Sequence, residues 1–189
     1  MKFKLTLLAT AFLFFTATLN AQNAISAGFA KATIILGNGH TLSGYAKDNI
    51  KKASAIVFLD SAGNKKEYDG NNIHTITIDT LNFICIKGDF FKVLCAGKIN
   101  FLQKAGNAAG KPVYNGSEAM FTNGTEGKIG DYFVYSNTKL QLLNKKNVGS
   151  FITTDLAGCA EAIQKAKSIN GDMAKIGEAV DTFNNYAAK

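Results

Sequence analysis

Arginine is absent from this chain: all 21 of its basic side chains are lysine, set against 14 acidic ones and two histidines. Arginine supplies the rigid fork that reads guanine, phosphate and carboxylate, whereas lysine is a hydrated point charge. The lysines come in pairs at most, at Lys51-Lys52, Lys65-Lys66 and Lys145-Lys146. Specific nucleic-acid recognition is therefore not expected, and the formal net charge of +7 reads as a solvated surface. Histidine is scarce too. His40 and His74 lie far apart, so a histidine-based acid–base site would have to be assembled from distant residues. The HExxH, GxSxG and phosphate-loop signatures are missing. Gly37-Asn38-Gly39 has the spacing that begins a dinucleotide loop, but no helical pattern comes after it, so a hairpin turn is expected there. Asp48, Asp60, Asp69 and Asp79 mostly accompany Gly, Asn or Ser, which predicts turns. No catalytic residue, cofactor-binding residue or metal ligand is assigned from these patterns.

Cysteine is limited to Cys85, Cys95 and Cys159, an odd number that leaves at least one thiol unpaired. A tight turn at Lys87 to Phe90, with Gly88-Asp89 at its centre, would set Cys85 opposite Lys92 and point Cys95 to the other face. A Cys85–Cys95 bridge is then poor geometry. Small apolar packing and a disulfide from Cys159 to one of the strand cysteines both stay open. None of the three has a second Cys or His at metal-ligand spacing.

Long apolar runs are confined to the start. Lys2 and Lys4 precede an apolar stretch from Leu5 to Phe15, and Leu19-Asn20-Ala21 ends in the small residue that a signal peptidase accepts. Residues 1–21 are therefore expected to be a signal peptide, and residues 22–189 a single exported domain, periplasmic or extracellular. The stretch is shorter than the roughly 20 residues that span a bilayer. No later segment is apolar and long enough to serve as a transmembrane span after cleavage.

What the chain does have is period-two alternation punctuated by glycine and asparagine. Strands are predicted at Lys31–Leu36, His40–Tyr45, Ser54–Leu59, Lys65–Tyr68 (an edge strand), Ile73–Ile78, Leu81–Ile86, Phe90–Cys95, Ile99–Leu102, Val113–Thr122 and Ile129–Tyr135. In Ile73–Ile78 the alternation sets His74, Ile76 and Ile78 on one face. Leu140–Leu143 is either a last strand or a short turn. From Asp155 the spacing turns helical: Asp155 would cap Leu156–Lys167, and Asp172 a second helix with Met173, Ile176, Val180, Phe183 and Ala187 on one stripe. The expected fold is α+β: an antiparallel sheet, rolled or barrel-like, built from hairpins (β-rich 22–143) and closed by two C-terminal helices (151–187).

Several segments together resemble a known group. They are a signal peptide ending in Ala-Gln, the first-hairpin run Gly39-His40-Thr41-Leu42-Ser43-Gly44, the segment Phe91 to Phe101, the Tyr132-Phe133-Val134-Tyr135 strand and the cysteine-bearing terminal helix pair. In these the chain resembles uncharacterised exported proteins of the Bacteroidetes. The resemblance implies a compartment and a β-rich fold type, and no activity. Members of that group often carry a cysteine after a Tyr-Asn pair near the C-terminus, but Phe183-Asn184-Asn185-Tyr186 is followed by none.

The functional expectation is a non-enzymatic binding or envelope-supporting domain, with a protein, glycan or lipid as partner. An exposed patch drawn from Phe90-Phe91 and Tyr132 to Tyr135 would favour binding. The alternative is a hydrolase assembled around His74 beside a carboxylate or thiol. Asn115-Gly116-Ser117 and Asn123-Gly124-Thr125 match a glycosylation pattern that tight turns also produce. Asp60-Ser61-Ala62 and Asp79-Thr80-Leu81 resemble the triplets on which exported proteins of that group receive O-linked glycans, at Ser61 or Thr80.

Overall fold

The computed structural model of the chain describes residues 27–115, 118–169 and 171–188. The expected signal peptide lies outside them. Alternating segments pair into one ten-stranded antiparallel sheet. It is formed by β1 (Ala30–Leu36), β2 (Thr41–Asp48), β3 (Ala55–Leu59), β4 (Lys65–Asp69), β5 (Ile73–Ile78), β6 (Leu81–Ile86), β7 (Asp89–Cys95), β8 (Asn100–Lys104), β11 (Tyr132–Ser136) and β12 (Lys139–Leu143). Their spatial order is β12-β11-β8-β7-β6-β5-β1-β2-β3-β4. Between β8 and β11 the chain makes a separate two-stranded arm, β9 (Pro112–Asn115) and β10 (Glu118–Phe121). The α+β class is thus as expected. Among the described residues three α-helices come after the sheet strands in place of two, and a fourth is inserted early.

The sheet does not close into a barrel. Its edges are β4, whose Lys-Lys-Glu sequence is a common way of keeping an edge from pairing, and β12. The far side does curl back, through an isolated bridge between Gly70, just after β4, and Gly88, in the β6–β7 turn. A Cβ on Gly70 would run into the Gly88 carbonyl, so only glycine allows this approach. The same carbonyl accepts a hydrogen bond from the Ser54 hydroxyl at 3.3 Å. Ser54 (φ 44°) ends α1 (Ile50–Ala53), a single turn that the sequence pattern did not reveal.

The pleat gives the sheet two faces. Along β8 and the residue that follows it, Phe101 and Ala105 share one side, Leu102 and Lys104 the other. The first side carries two clusters. At the β1–β7 end, Ile34, Ile56, Ile76, Phe83 and Phe90 pack together with Ile50 of α1. At the other end Phe101, Val134 and Leu143 are covered by Phe151, Leu156, Ala162, Ile176, Val180 and Phe183. These come from α2 (Val148–Thr154), α3 (Ala160–Ser168) and α4 (Ile176–Ala187), the last entered through a 3-10 turn at Met173–Lys175, and from the turn between α2 and α3. Each large apolar side chain contributes about 1.5–3 kcal/mol on burial. The opposite side holds a third cluster of Phe91, Leu102 and Phe133, and beside it half-buried Ile84, Ile86, Val93, Tyr135, Leu140 and Leu142.

The helical expectations need one correction. Asp155 does not cap a helix over Leu156–Lys167; its N–H bonds to the Phe151 carbonyl at the end of α2. Gly158 then turns at φ 91°, and α3 starts after Cys159. Leu156 and Cys159 are buried all the same, because the turn keeps both against the sheet. Asp172 does cap as expected, accepting from the Ala174 N–H.

Candidate functional site

The sequence candidates are dispersed. Ile35 pairs with Thr75 and Leu36 with Ile73, so His74 is the extra residue of a β-bulge. The bulge overturns the expected alternation: Ile73, not His74, joins Ile76 in the core, and His74 is swung out to solvent. His40 is also exposed, in the turn between β1 and β2 that Gly37-Asn38-Gly39 was expected to make. Among the described residues neither imidazole meets a carboxylate or thiol within hydrogen-bond distance. Asp48, Asp60 and Asp69 fasten turns, each accepting the backbone N–H two residues on. At Asp60, hydrogen bonds from Asn64 outweigh other influences and hold the carboxyl below its ordinary range. Ser61 and Thr80 are exposed in their turns.

The three thiols are free. Cys85 packs against the β1–β7 cluster, where burial first, then the charges of Asp69 and Asp89, push its pKa far up. Cys95 was expected to face away from Cys85. A bulge between Val93 and Cys95 ejects Leu94 and resets the alternation, so that Cys95 pairs with Phe101 and packs beneath the helices. Burial raises its pKa, Asn184 partly offsets this, and Asp181 adds to it. Cys159 is buried in the same cluster. The aromatic patch is absent as drawn: Phe90, Phe91 and Phe133 are fully buried and Tyr132 and Tyr135 half-buried. Their strands, β7 and β11, are paired on both sides within the sheet and carry packed apolar side chains on both faces.

The most unusual chemistry falls on residues that the sequence did not single out. The β6–β7 turn is centred on Lys87-Gly88, since Ile86 pairs with Asp89, and not on Gly88-Asp89. Lys87 (φ 51°) and Gly88 (φ 84°) have the two left-handed residues of a type I′ turn. Asp89 thereby becomes the first residue of β7 and faces the outer cluster. There its Oδ2 lies 2.8 Å from Lys104 Nζ, with both side chains at 0% exposure. The carboxylate also accepts from the Ala108 N–H at 2.6 Å, the Thr125 N–H at 2.7 Å and the Thr125 hydroxyl at 2.6 Å. The Lys104 ammonium in turn donates to the carbonyls of Thr125, Glu126 and Gly127. Burial alone would raise the Asp89 pKa, but the bonds from Ala108, Lys104 and Thr125 together outweigh it and hold the group below its ordinary value of 3.8. One carboxylate thus grips both feet of the β9–β10 arm, at Ala108 and at Thr125.

That grip positions one wall of a cleft of about 450 Å³ on the outer face, lined by Gly124, Thr125 and Glu126. Its floor is Ile86 and Leu140, and its rim is Lys87, Thr138 and the start of β12 at Lys139, whose side chain alternates with Gln141 and Leu143 toward the helix-covered face and borders a second cleft there with Ser150, Thr154 and Asp155. The rim comes from two hairpin turns, Lys87-Gly88 and Asn137-Thr138. Among the described residues five non-glycine positions have positive φ, and three of them, Lys87, Asn137 (φ 49°) and Thr138 (φ 63°), lie in these two turns. For the β-branched Thr138 this backbone is strongly disfavoured. Strain of this kind persists only where surrounding contacts fix it, and it concentrates at binding sites. Neither Lys87 nor Lys139 is in an ion pair among the described residues. The cleft has no histidine or thiol in its lining.

Among the described residues no three His, Cys, Asp or Glu side chains are grouped to hold a metal ion, and no helix is long and apolar enough to cross a membrane. Comparison of the chain with protein-family models, with curated proteins and with solved structures returns no match.

Proposed function

We propose that this is an exported, non-catalytic binding domain whose ligand occupies the outer-face cleft. The observation that carries the reading is the cleft itself: an apolar floor, a rim lysine, Lys87, free of ion pairs among the described residues, and a wall fixed by a buried ion pair. Its volume lies within the range of roughly 300–1,000 Å³ common to ligand sites. Preorganised walls raise affinity because little ordering is left to do on binding. Export rests on Lys2, Lys4 and the apolar stretch Leu5–Phe15. A hydrolase built around His74 is disfavoured by that residue's solvent-facing position on a bulge, away from any acid or thiol partner among the described residues.

The test has two parts. N-terminal sequencing of the protein recovered outside the cytoplasm is expected to begin near Gln22; an intact Met1 overturns export. Small molecules retained by the purified protein from an envelope extract are then identified by mass spectrometry and compared with those retained by Leu140→Asp, which charges the cleft floor. A compound held by the first and lost by the second supports the reading. Equal retention, or none, overturns it, and hydrolytic activity that disappears in His74→Ala would revive the enzyme.

A further inference from the structure

We infer that the second cleft, on the helix-covered face, takes a small zwitterion: an amino acid, or another molecule with one ammonium and one carboxylate group. This site is separate from the outer-face cleft and does not depend on what binds there. The inner sides of β11 and β12 are apolar where the helices lie on them, at Tyr132, Val134 and Leu143. Toward the hairpin tip the same sides carry Ser136, Lys139 and Gln141, and the chemistry turns polar. Opposite them α2 ends at Thr154. Ser150 and Thr154, one helical turn apart, form the facing wall with Asp155. The space between measures about 290 Å³, just below the roughly 300 Å³ at which pockets for drug-sized ligands begin, which sets the ligand at the size of an amino acid.

Two observations separate this cleft from an ordinary wetted surface. Gln141 pairs across the hairpin with buried Val134 and is itself half-buried, yet its amide lines the cleft with no hydrogen bond to the chain among the described residues. Lys139 and Asp155 bring opposite charges to one cleft and form no ion pair with each other. No basic residue in the last turn of α2 offsets Asp155 either. A ligand can therefore bridge the two, its carboxylate against the Lys139 ammonium and its ammonium against Asp155. The hydroxyls of Ser136, Ser150 and Thr154 and the Gln141 amide both donate and accept, so they suit either end. A ligand of one charge would be attracted by one wall and repelled by the other. A sugar is a poorer fit, because no aromatic ring lines the cleft.

Proton–nitrogen correlation NMR of the isotope-labelled protein, titrated at matched ionic strength, tests this. The probes are three zwitterions that differ in the distance between their charges (glycine, γ-aminobutyrate and ε-aminocaproate), and acetate, ethylammonium and glucose. At least one zwitterion is expected to bind at one site per chain, about tenfold or more tighter than acetate, ethylammonium or glucose, and to shift the Gln141 and Thr154 amides. Asp155→Asn is expected to weaken it about tenfold, and Lys139→Gln, which removes an exposed charge, about threefold to fivefold. Lys47→Gln removes the same charge from β2, toward the other end of the sheet, and is expected to leave binding unchanged. Lys139→Asp alone abolishes binding, and the exchanged variant Lys139→Asp/Asp155→Lys recovers it with the ligand reversed. Circular dichroism and thermal melting of each variant establish that it is folded. Binding of none of the three zwitterions, or equal affinity for acetate or ethylammonium, overturns the inference. Zwitterion binding indifferent to both Lys139→Gln and Asp155→Asn, or shifts confined to Ile86 and Thr125, overturns it by placing the ligand elsewhere. Glucose bound more tightly than every zwitterion overturns it in favour of a neutral glycan.

Discussion

Asn184 sits on the buried side of α4 beside Phe183, at a place where an amphipathic stripe calls for an apolar residue. Its amide imitates a strand: Oδ1 accepts from the Ile99 N–H at 3.0 Å and Nδ2 donates to the Ile99 carbonyl at 2.8 Å. Gly97 makes room, since a Cβ there would collide with the Asn184 side chain. Asn184→Ala leaves both Ile99 groups buried and unpaired, at about 1–3 kcal/mol for each group so stranded. Urea denaturation is expected to show a loss of about 2–6 kcal/mol, with Asn184→Asp intermediate. Asp89 is the more sensitive position. Asp89→Asn puts an NH2 group where N–H donors already point and leaves Lys104 without its countercharge, for a loss of about 3–5 kcal/mol. Its folded pKa is depressed, so the stabilisation is complete above the unfolded value and disappears as pH falls through the lower folded one. The urea midpoint is therefore expected to fall steeply below about pH 4 in the natural protein, and with a shallower slope in Asp89→Asn. Equal slopes would mean that Asp89 titrates alike in both states. Neither residue was legible as a site. Asp89 comes after a glycine and reads as a turn, and Asn184 differs from its neighbour Asn185 only in which way the helix turns it.

At the level of elements, the strands were legible because alternation is a local signal, and edge β4 announced itself by its charges. The bulges at His74 and Leu94 were not. Each depends on which residue of the neighbouring strand it meets, and each reverses the face of the residues beyond it. The helix between Leu156 and Lys167 was misread for a related reason: the apolar spacing is right, yet Gly158 lies inside it. With φ 91° and nothing within 4 Å of the site of a Cβ, Gly158→Ala is expected to cost about 1 kcal/mol from backbone strain alone. Gly70→Ala combines a direct clash with the loss of the bridge from β4's end to the β6–β7 turn. Its cost is expected to exceed that of Gly158→Ala by about 1–3 kcal/mol, measured as the difference in urea midpoint at constant slope.

For the whole molecule, the α+β class and the order of its parts come from the switch between period two and helical spacing. The failure to close and the curl through Gly70 and Gly88 do not, because they are set by contacts between segments far apart in sequence. The same holds for the outer face, where one buried ion pair decides how the chain between β8 and β11 crosses the sheet. Hydrogen exchange provides a map of this. In the natural protein the Ala108 and Thr125 amides are expected to be protected. In Asp89→Asn both should exchange faster together, while amides shared by β1 and β5 keep their rates relative to global unfolding. Loss of protection at only one of the two would mean that the arm's feet are held independently.

A carboxylate that fastens Ala108 and Thr125 side by side makes residues 109–123 a cassette. The strands on either side of it, β8 and β11, pair with each other directly, so the sheet does not need the arm for its own continuity. Lineages carrying such a clasp would be free to lengthen, shorten or replace the insert, because each doubling of a flexible loop costs only about 0.6 kcal/mol. The site of variation and the rigid wall of the cleft would then be separated by a single turn of chain, with new surface acquired on one side of Thr125 and the ligand's position conserved on the other.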